Sequence, residues 1–188
     1  MRLFSALRPS PKTLRTLSRL QKGVSGAKWS ELDKLHITLA YYGEVSLEHA
    51  ELLDEKLGDI RHPGFDLTYR SVGHFGHDRP FNLHVGVELS DALKQLHKAC
   101  LRAGGLAGLE LERRDYRPHV TMAYIRGQPR IDRIVAWEKN YNGFKSGPDL
   151  MDEFILYSSL PRENGANIYR AEATYPLRGE MLPPKTES

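Results

Sequence analysis

One short motif occurs twice in the chain and limits what it can fold into. The first copy runs from His36 to Tyr41 (HITLAY), and the second runs from His119 to Tyr124 (HVTMAY), 83 positions later. Both copies are rich in the β-branched and aromatic residues that favour strands. The chain is therefore predicted to contain two equivalent strands, each carrying a histidine and a threonine.

The side chains of a strand alternate between the two faces of a sheet. The histidine, threonine and alanine of each copy are therefore predicted to share one face, and the remaining residues the face that packs against a core. The first set is His36, Thr38, Ala40, His119, Thr121 and Ala123; the second is Ile37, Leu39, Tyr41, Val120, Met122 and Tyr124. Each copy thus places an imidazole beside a hydroxyl, with a small alanine next along the same face.

The pair of motifs indicates acid–base chemistry at phosphorus. A single histidine on a strand is usually a structural or solvated side chain, but two matching copies form a constellation of the kind found at active sites. Because imidazole titrates near neutral pH, one histidine can act as a base while the other acts as an acid. The threonine hydroxyls are suited to hold the non-bridging oxygens of a phosphate as charge builds on them. This chemistry needs no metal and no cofactor.

Composition limits the setting in which such a site works. A chain of 188 residues can bury a substantial core, so residues 1–178 are expected to form a single domain with two lobes and residues 179–188 a polar tail. The sequence contains no apolar run of membrane length, and its short, charged N-terminal segment is not expected to act as a signal peptide. Cys100 is the only cysteine, which excludes an internal disulfide and fits a reducing cytoplasm. The net charge of +3 is compatible with an anionic substrate.

Helix and strand signals alternate along the chain. Ser10, Ser46 and Ser90 each precede an amphipathic segment and are predicted to cap helices. Seven strands are predicted around four helices, with one histidine motif in each half of the chain. The sequence therefore predicts an α+β fold, bilobed and pseudo-duplicated, in which two antiparallel sheets face a central cleft and the helices lie outside.

Several segments together resemble a known family. They are Arg2 to Leu7 (RLFSAL), Leu35 to Gly43 (LHITLAYYG), Arg117 to Ala123 (RPHVTMA), Leu156 to Leu160 (LYSSL) and Tyr169 to Leu177. In these segments the chain resembles the two-histidine phosphoesterase superfamily and, within it, the LigT-like RNA 2′,3′-cyclic phosphodiesterases. The similarity covers about residues 1 to 178.

The resemblance implies a reaction and roles for four residues. His36 would be the proton donor to the leaving 3′ oxygen, and His119 the proton acceptor that activates water. Thr38 and Thr121 would bind the phosphate. The implied reaction is metal-independent hydrolysis of a 2′,3′-cyclic phosphate to a 2′-phosphate. The expected partner is RNA with such an end, or a cyclic nucleotide, bound by a monomer that has no membrane association.

The sequence departs from the family at two places. Relatives commonly carry an arginine five residues after the second histidine, where this chain has Tyr124. Arg126 is expected to take over the phosphate contact, with Arg117 or Arg79 as alternatives, or the contact is absent. Relatives also tend to have Arg-Pro-Arg before the mid-chain strand, whereas this chain places Phe81 at the second arginine. That ring is expected in the core rather than stacked on a base.

Three other functions stay open at this point. A small-molecule phosphodiesterase acting on a nucleotide such as ADP-ribose cyclic phosphate would use the same chemistry. A non-catalytic module that binds RNA ends would keep the cleft, and the absence of an arginine at Tyr124 favours it. A metal site built on His36 and His119 has the least support, because a zinc site needs more ligands than these two.

Overall fold

The computed structural model describes residues 1–112, 115–128, 130–161 and 167–179. Four further features that the sequence predicts fall outside these ranges. They are a phosphate contact from Arg113 or Arg114, the start of the fourth helix at Pro129, a hairpin-type loop at residues 163–166, and residues 180–188 of the polar tail.

The described residues form nine strands and four α-helices. In chain order they are β1 (Arg2–Leu7), α1 (Pro11–Ser18), β2 (Ala27–Trp29), β3 (Ile37–Glu44), α2 (Leu47–Gly58), β4 (Phe65–Phe75), β5 (Asn82–Val87), α3 (Asp91–Leu106), β6 (His119–Ile125), α4 (Ile131–Tyr141), β7 (Lys145–Met151), β8 (Glu153–Leu160) and β9 (Ile168–Pro176). All four predicted helices are present. Strands β2 and β7 are additional to the seven predicted, and β7 contains a glycine and a proline, which are uncommon inside strands.

Serine caps explain where three of the helices begin. The hydroxyls of Ser10, Ser46 and Ser90 each accept a hydrogen bond from the amide three residues later, at 3.2–3.3 Å. Each bond satisfies one of the amides that the first helical turn leaves without a partner. The three predicted caps are confirmed.

The strands form one antiparallel sheet in the order β7-β4-β5-β6-β3-β1-β8-β9, with β2 paired to β6. Its two halves meet where Ile37 of β3 pairs with Val120 of β6. Helices α1 and α4 pack against β7 and β4 in one half, and α2 and α3 pack against β9 and β3 in the other. The α+β class is confirmed, and the two predicted sheets are the two halves of a single sheet. The face opposite the helices is called the open face below.

A β-bulge interrupts the alternation of the first motif. Ala6 of β1 pairs with Thr38, and the preceding Ser5 pairs with Ala40, so Leu39 is an extra residue in its strand. Paired residues share a face, and Ser5 lies on the helix face. Ala40 therefore also lies on the helix face, where it is buried.

The second motif has a bulge at the equivalent position. His84 of β5 pairs with Thr121 and Leu83 pairs with Ala123, which leaves Met122 as the extra residue. Leu83, Met122 and Ala123 are all fully buried. The duplication predicted from the motif thus includes the bulge, which occurs at the same position in both strands.

The two bulges turn both motif tyrosines toward the open face. Tyr41 pairs with Phe4, and Tyr124 pairs with Asn82. The tyrosines are 57% and 48% exposed. The prediction that they hold their strands in the core is wrong, because it assumed uninterrupted alternation. The same error placed the two alanines on the open face.

The open face is concave. Strands β6 and β9 are four positions apart in the sheet, which would separate them by about 19 Å if the sheet were flat. Nevertheless Tyr169 of β9 interacts with the side chain of Tyr124 of β6: burial and, after it, this neighbouring tyrosine raise the pKa of the Tyr169 hydroxyl to about 12. The sheet must therefore curve around its open face, and the resulting concavity is the cleft.

Candidate active site

The pairing of β3 with β6 brings the two motifs together. Since Ile37 lies opposite Val120 in an antiparallel pair, the next positions in this register place His36 opposite Thr121 and Thr38 opposite His119. Each histidine thus neighbours the threonine of the other motif, and the two histidines lie on a diagonal. All four of these side chains lie on the cleft face, as the sequence predicts.

Both histidines are held by the same hydrogen bond. Nδ1 of His36 donates to the carbonyl oxygen of Lys34 at 2.7 Å, and Nδ1 of His119 donates to that of Arg117 at 2.7 Å. A carbonyl can only accept, so the neutral imidazole carries its proton on Nδ1. This tautomer leaves Nε2 of each ring with a free lone pair that can accept or return a proton.

Aromatic rings from three other strands surround His36. Phe4 lies 4.9 Å from the imidazole between ring centroids, Tyr169 lies 5.4 Å away and nearly perpendicular, and Tyr157 lies 6.4 Å away. Phe4 is also stacked on Tyr157 at 5.3 Å. These rings fix the orientation of His36 and remove water from one side of it.

A second aromatic group surrounds His119. Phe75 meets the imidazole edge-on at 4.9 Å, and His84 does so at 5.3 Å. Phe81 stacks on Phe75 at 6.4 Å and is 54% exposed. The expectation that Phe81 belongs to the core is therefore wrong. Its ring extends the wall of the cleft beyond Phe75.

Burial lowers the pKa of both histidines. For His36, desolvation is the largest cause, the hydrogen bond to Lys34 opposes it, and the positive charge of protonated His119 lowers the pKa further. For His119, desolvation again lowers the pKa against the opposing bond to Arg117. Because the charge of His119 acts on His36, the two histidines lose their protons in steps that belong to the pair.

His84 is a residue of the cleft that the sequence analysis missed. Its ring stacks on Phe75 at 4.3 Å, and burial, aided by His119 and His74, lowers its pKa to about 4. A Cβ at Gly73 would stand only 3.1 Å from its Nε2, so that glycine makes room for the imidazole. Its Nδ1 is buried and has no hydrogen-bond partner among the described residues. His84 is therefore held neutral beside His119.

The threonine hydroxyls are free to bind a ligand. Within the described part of the chain, neither Thr38 nor Thr121 uses its hydroxyl in a hydrogen bond. The backbone around Thr38 is nevertheless fixed, because Tyr116 donates to its carbonyl at 3.0 Å and His97 donates to the carbonyl of Leu39 at 2.7 Å. The rings of His97 and Tyr116 stack in parallel at 3.8 Å. This stacked pair holds the first bulge in place.

The three arginines named by the sequence analysis as possible phosphate contacts are all exposed. Arg126 is exposed just after β6, and its amide lies 3.4 Å from the carbonyl oxygen of Gly26. Arg117 is exposed and uses its backbone carbonyl to hold His119. Arg79 is exposed in the turn before β5.

Two further cations lie on the cleft face. Leu7 pairs with Ile37, so Arg8 is the next residue beside His36, and its charge acts on Tyr157. Lys28 pairs with Tyr124. The sequence analysis missed both because their position depends on strand pairing.

The described ranges contain no group of three or more histidine, cysteine, aspartate or glutamate side chains that could hold a metal ion. None of the helices in those ranges has the length and apolar character needed to span a bilayer.

Cys100 is fully buried in α3, and burial raises the pKa of its thiol to about 12.

Comparison with known proteins finds a matching family model and several named relatives. Residues 8–142 match the model of the 2′-5′ RNA ligase superfamily. The chain is 32% identical over 155 residues to the RNA 2′,3′-cyclic phosphodiesterase of Aeropyrum pernix, covering 79% of this chain and 88% of that protein. It is 27% identical over 170 residues to the protein of the same name from Archaeoglobus fulgidus, covering 88% and 94%.

Solved structures show the same fold. The crystal structure of Escherichia coli LigT without ligand superposes with a TM-score of 0.73 at 24% sequence identity, over 94% of this chain and 97% of that one.

Proposed function

Because the chain belongs to the 2′-5′ RNA ligase superfamily, we propose that it hydrolyses the 2′,3′-cyclic phosphate at RNA ends and releases a 2′-phosphate. The family match confirms the resemblance carried by the repeated motif. The observation that supports the activity most strongly is the pair His36 and His119, each held through Nδ1 by the carbonyl two residues before it. The names of the relatives support the cyclic-phosphate substrate.

In the proposed mechanism the cyclic phosphate lies between the two imidazoles. Nε2 of His119 removes a proton from a water molecule, whose oxygen forms a new bond to phosphorus. The bond from phosphorus to the 3′ oxygen breaks in line with the attack, and protonated His36 supplies the proton which that oxygen needs. The product keeps its phosphate on the 2′ oxygen. After the reaction His119 carries a proton and His36 does not. Both exchange protons with solvent before the next turnover.

The two threonines stabilise the charge that develops. We assign their free hydroxyls as donors to the non-bridging phosphate oxygens, because Thr38 lies opposite His119 and Thr121 lies opposite His36. This arrangement places one hydroxyl beside each imidazole. A phosphate bridging the diagonal of the two histidines would therefore meet both hydroxyls.

A cation is expected to complete the phosphate site. We propose Arg126 for this contact, since it follows β6 and lies near the cleft-facing Tyr124. Arg8, beside His36, is the alternative that the strand pairing supports. Alanine substitution of each arginine tests the choice: the variant that raises KM for a cyclic mononucleotide at least tenfold identifies the contact. Arg15→Ala, on the exposed surface of α1, is the control in the same assay.

One comparison separates this function from the alternatives. The purified protein is assayed in EDTA with a cyclic-phosphate-ended oligonucleotide, with nucleoside 2′,3′-cyclic phosphate, and with ADP-ribose cyclic phosphate. The proposal expects turnover of the oligonucleotide at the highest kcat/KM. Preference for ADP-ribose cyclic phosphate would assign a small-molecule enzyme instead. Tight binding of the oligonucleotide without product would assign a non-catalytic module.

We also propose that residues 1–178 act as one domain in a cytoplasmic monomer. The residues assigned to the reaction all come from one chain, and the buried thiol of Cys100 suits a reducing compartment. Light scattering coupled to gel filtration tests the monomer: a mass near 21.4 kDa is expected. A mass near twice that value would contradict it.

A further inference from the structure

Three aromatic rings at the end of the hairpin formed by β4 and β5 make a stack beside His119. The ring of His84 is stacked on that of Phe75 at 4.3 Å between centroids, and the ring of Phe81 is stacked on Phe75 at 6.4 Å, each at an interplanar angle of 25°. Phe75 also meets His119 edge-on at 4.9 Å. Since Phe81 contacts the ring of Phe75 and not that of His84, it forms the outer end of the stack.

The ring of Phe81 is fixed in position and yet 54% exposed. The amide of Phe81 donates to the carbonyl of Phe75 at 3.0 Å, and its own carbonyl accepts from the amide of Ile125 in β6 at 2.9 Å. A Cβ at Gly76 would lie only 2.8 Å from Cδ1 of Phe81, so that glycine makes room for the ring. Within the described part of the chain, Phe75 is the only aromatic ring that contacts it. The outer end of the stack is therefore rigid and open to a ligand.

Two arginines flank this open ring. Arg79 lies two residues before Phe81 in the turn, and Arg126 follows the residue of β6 whose amide bonds to the carbonyl of Phe81. Both side chains are exposed, and neither makes an ion pair within the described ranges. The only acid in the turn, Asp78, is hydrogen bonded to His77 at 2.9 Å. Aromatic rings on which bases stack, set among cations that attract the backbone, are typical of sites for single-stranded nucleic acid.

We propose that Phe81 is the stacking platform for the base of the nucleotide on the 5′ side of the one that carries the cyclic phosphate. This inference rests on the proposed function and names its substrate class, which is RNA of two or more nucleotides rather than a cyclic mononucleotide. Phe81 lies one ring farther from His119 than Phe75 does, so it suits a base one nucleotide before the reacting ribose. Arg79, beside it, attracts the charged phosphate that joins the two nucleotides.

Substitution of Phe81 tests the proposal with two substrates. The measured quantity is kcat/KM for a dinucleotide that ends in a 2′,3′-cyclic phosphate, divided by kcat/KM for a nucleoside 2′,3′-cyclic phosphate. Phe81→Leu removes the aromatic face and keeps apolar bulk, so we expect this ratio to fall about tenfold, mainly through KM for the dinucleotide. Phe81→Trp keeps an aromatic face and is expected to keep the ratio. Leu106→Ala, at a similarly exposed position on α3 (58%), is the control.

Three results of this assay would overturn the proposal. The first is an unchanged ratio in Phe81→Leu. The second is an equal loss of kcat/KM on both substrates, which would show that Phe81 acts on the reaction itself through Phe75 and His119. The third is a fall of the ratio in Phe81→Trp as large as that in Phe81→Leu, since stacking would then not explain the loss.

A binding measurement without turnover identifies which base is stacked. The fluorescent base 2-aminopurine is quenched when it stacks on an aromatic ring. The probe is a dinucleotide that ends in a 2′-phosphate, with 2-aminopurine at either its 5′ or its 3′ nucleotide. We expect the wild-type protein to quench the 5′ label more strongly than Phe81→Leu does. A quench that depends on Phe81 only for the 3′ label, or for neither label, would contradict the assignment.

The proposed function and the stacking site fail in different ways. A wild-type protein that hydrolyses no cyclic phosphate would overturn the proposed function, and the fluorescence measurement would still decide whether Phe81 stacks on a base. An active wild type in which neither the kinetic ratio nor the quench depends on Phe81 would overturn only the stacking site.

Discussion

The ring of His84 lies against that of His119, with 5.3 Å between their centroids and an angle of 61°. The two residues belong to neighbouring strands, and His84 is paired directly with Thr121. A neutral, buried imidazole therefore forms part of the wall behind the residue assigned as the base. It covers one side of the His119 ring without placing a second positive charge beside it.

We expect His84 to make the protein less stable in acid. Its pKa is about 4 in the folded state and 6.5 when exposed, so the unfolded state binds more protons between these values. The stability it contributes is present above pH 6.5 and is lost as the pH falls toward 4. The loss is on the order of 2 kcal/mol, since a unit of pKa shift is worth about 1.4 kcal/mol and the ring is partly exposed.

Urea unfolding of the wild type and of His84→Phe at a series of pH values measures this contribution. Phenylalanine keeps an aromatic ring over Gly73 but cannot titrate. His36 and His119 also have lowered pKa values, so some dependence on pH remains in the variant. The contribution of His84 is the difference between the two proteins in how their free energy of unfolding changes with pH. An equal change of the unfolding free energy with pH in both proteins would contradict the lowered pKa assigned to His84.

Loss of the side chain of His36 or of His119 is expected to reduce kcat by about 10³-fold. General acid and general base catalysis each contribute roughly 10² to 10⁴ to a reaction of this kind. His36→Gln and His119→Gln remove the proton transfer and keep a polar side chain of similar size, and their melting temperatures report whether they fold. His49→Gln, on the exposed surface of α2, is the control. Near-normal activity in both active-site variants would exclude the mechanism.

The profile of kcat/KM against pH is expected to be bell-shaped, with its maximum below pH 6.5. The reactive free enzyme carries one proton on the pair of His36 and His119, and both pKa values lie below 6.5. Activity should therefore fall as the pH rises above 6.5, because the proton donor is then lost. Binding of an anionic phosphate favours the imidazolium, so the bell for kcat should lie at higher pH. A kcat/KM plateau that extends to pH 8 would contradict the lowered pKa values.

The threonines are expected to act through their hydroxyls. Thr38→Val and Thr121→Val keep the shape of the side chain and remove the donor, and each should lower kcat/KM by about 10²-fold. Thr38→Ser and Thr121→Ser keep the donor and should retain most of the activity. Steady-state kinetics of the four variants make the comparison. Equal losses in the serine and valine variants would indicate a packing role for the methyl group.

The repeated motif was sufficient to predict that His36, Thr38, His119 and Thr121 lie on one face of the sheet. A histidine and a threonine two residues apart on a strand must share a face, and this held for both copies since each bulge begins after the threonine. After the bulge, residues two positions apart from the threonine no longer share its face. Tyr41 and Tyr124 lie on the cleft face because Leu39 and Met122 are the extra residues of the two bulges. The alternation of apolar and polar residues along a strand does not reveal where a bulge lies.

The walls of the cleft could not be predicted from local patterns. Phe4, Tyr157 and Tyr169 come from three strands that were each predicted, yet their meeting at His36 depends on the order of strands in the sheet. The same holds for His84, which lies in an ordinary alternating strand and gains its low pKa only from its neighbours. The pairing order is a long-range property of the fold, and a single sequence contains no local signal for it.

The most direct test of the account is the identity of the product formed from a 2′,3′-cyclic phosphate. The purified protein is incubated in EDTA with an oligonucleotide that ends in this group, and the product is resolved by chromatography against authentic 2′- and 3′-phosphate standards. His36→Gln is run in parallel to show that the product depends on the site. The account expects the 2′-phosphate alone, because His36 protonates the departing 3′ oxygen. Accumulation of the 3′-phosphate would contradict it.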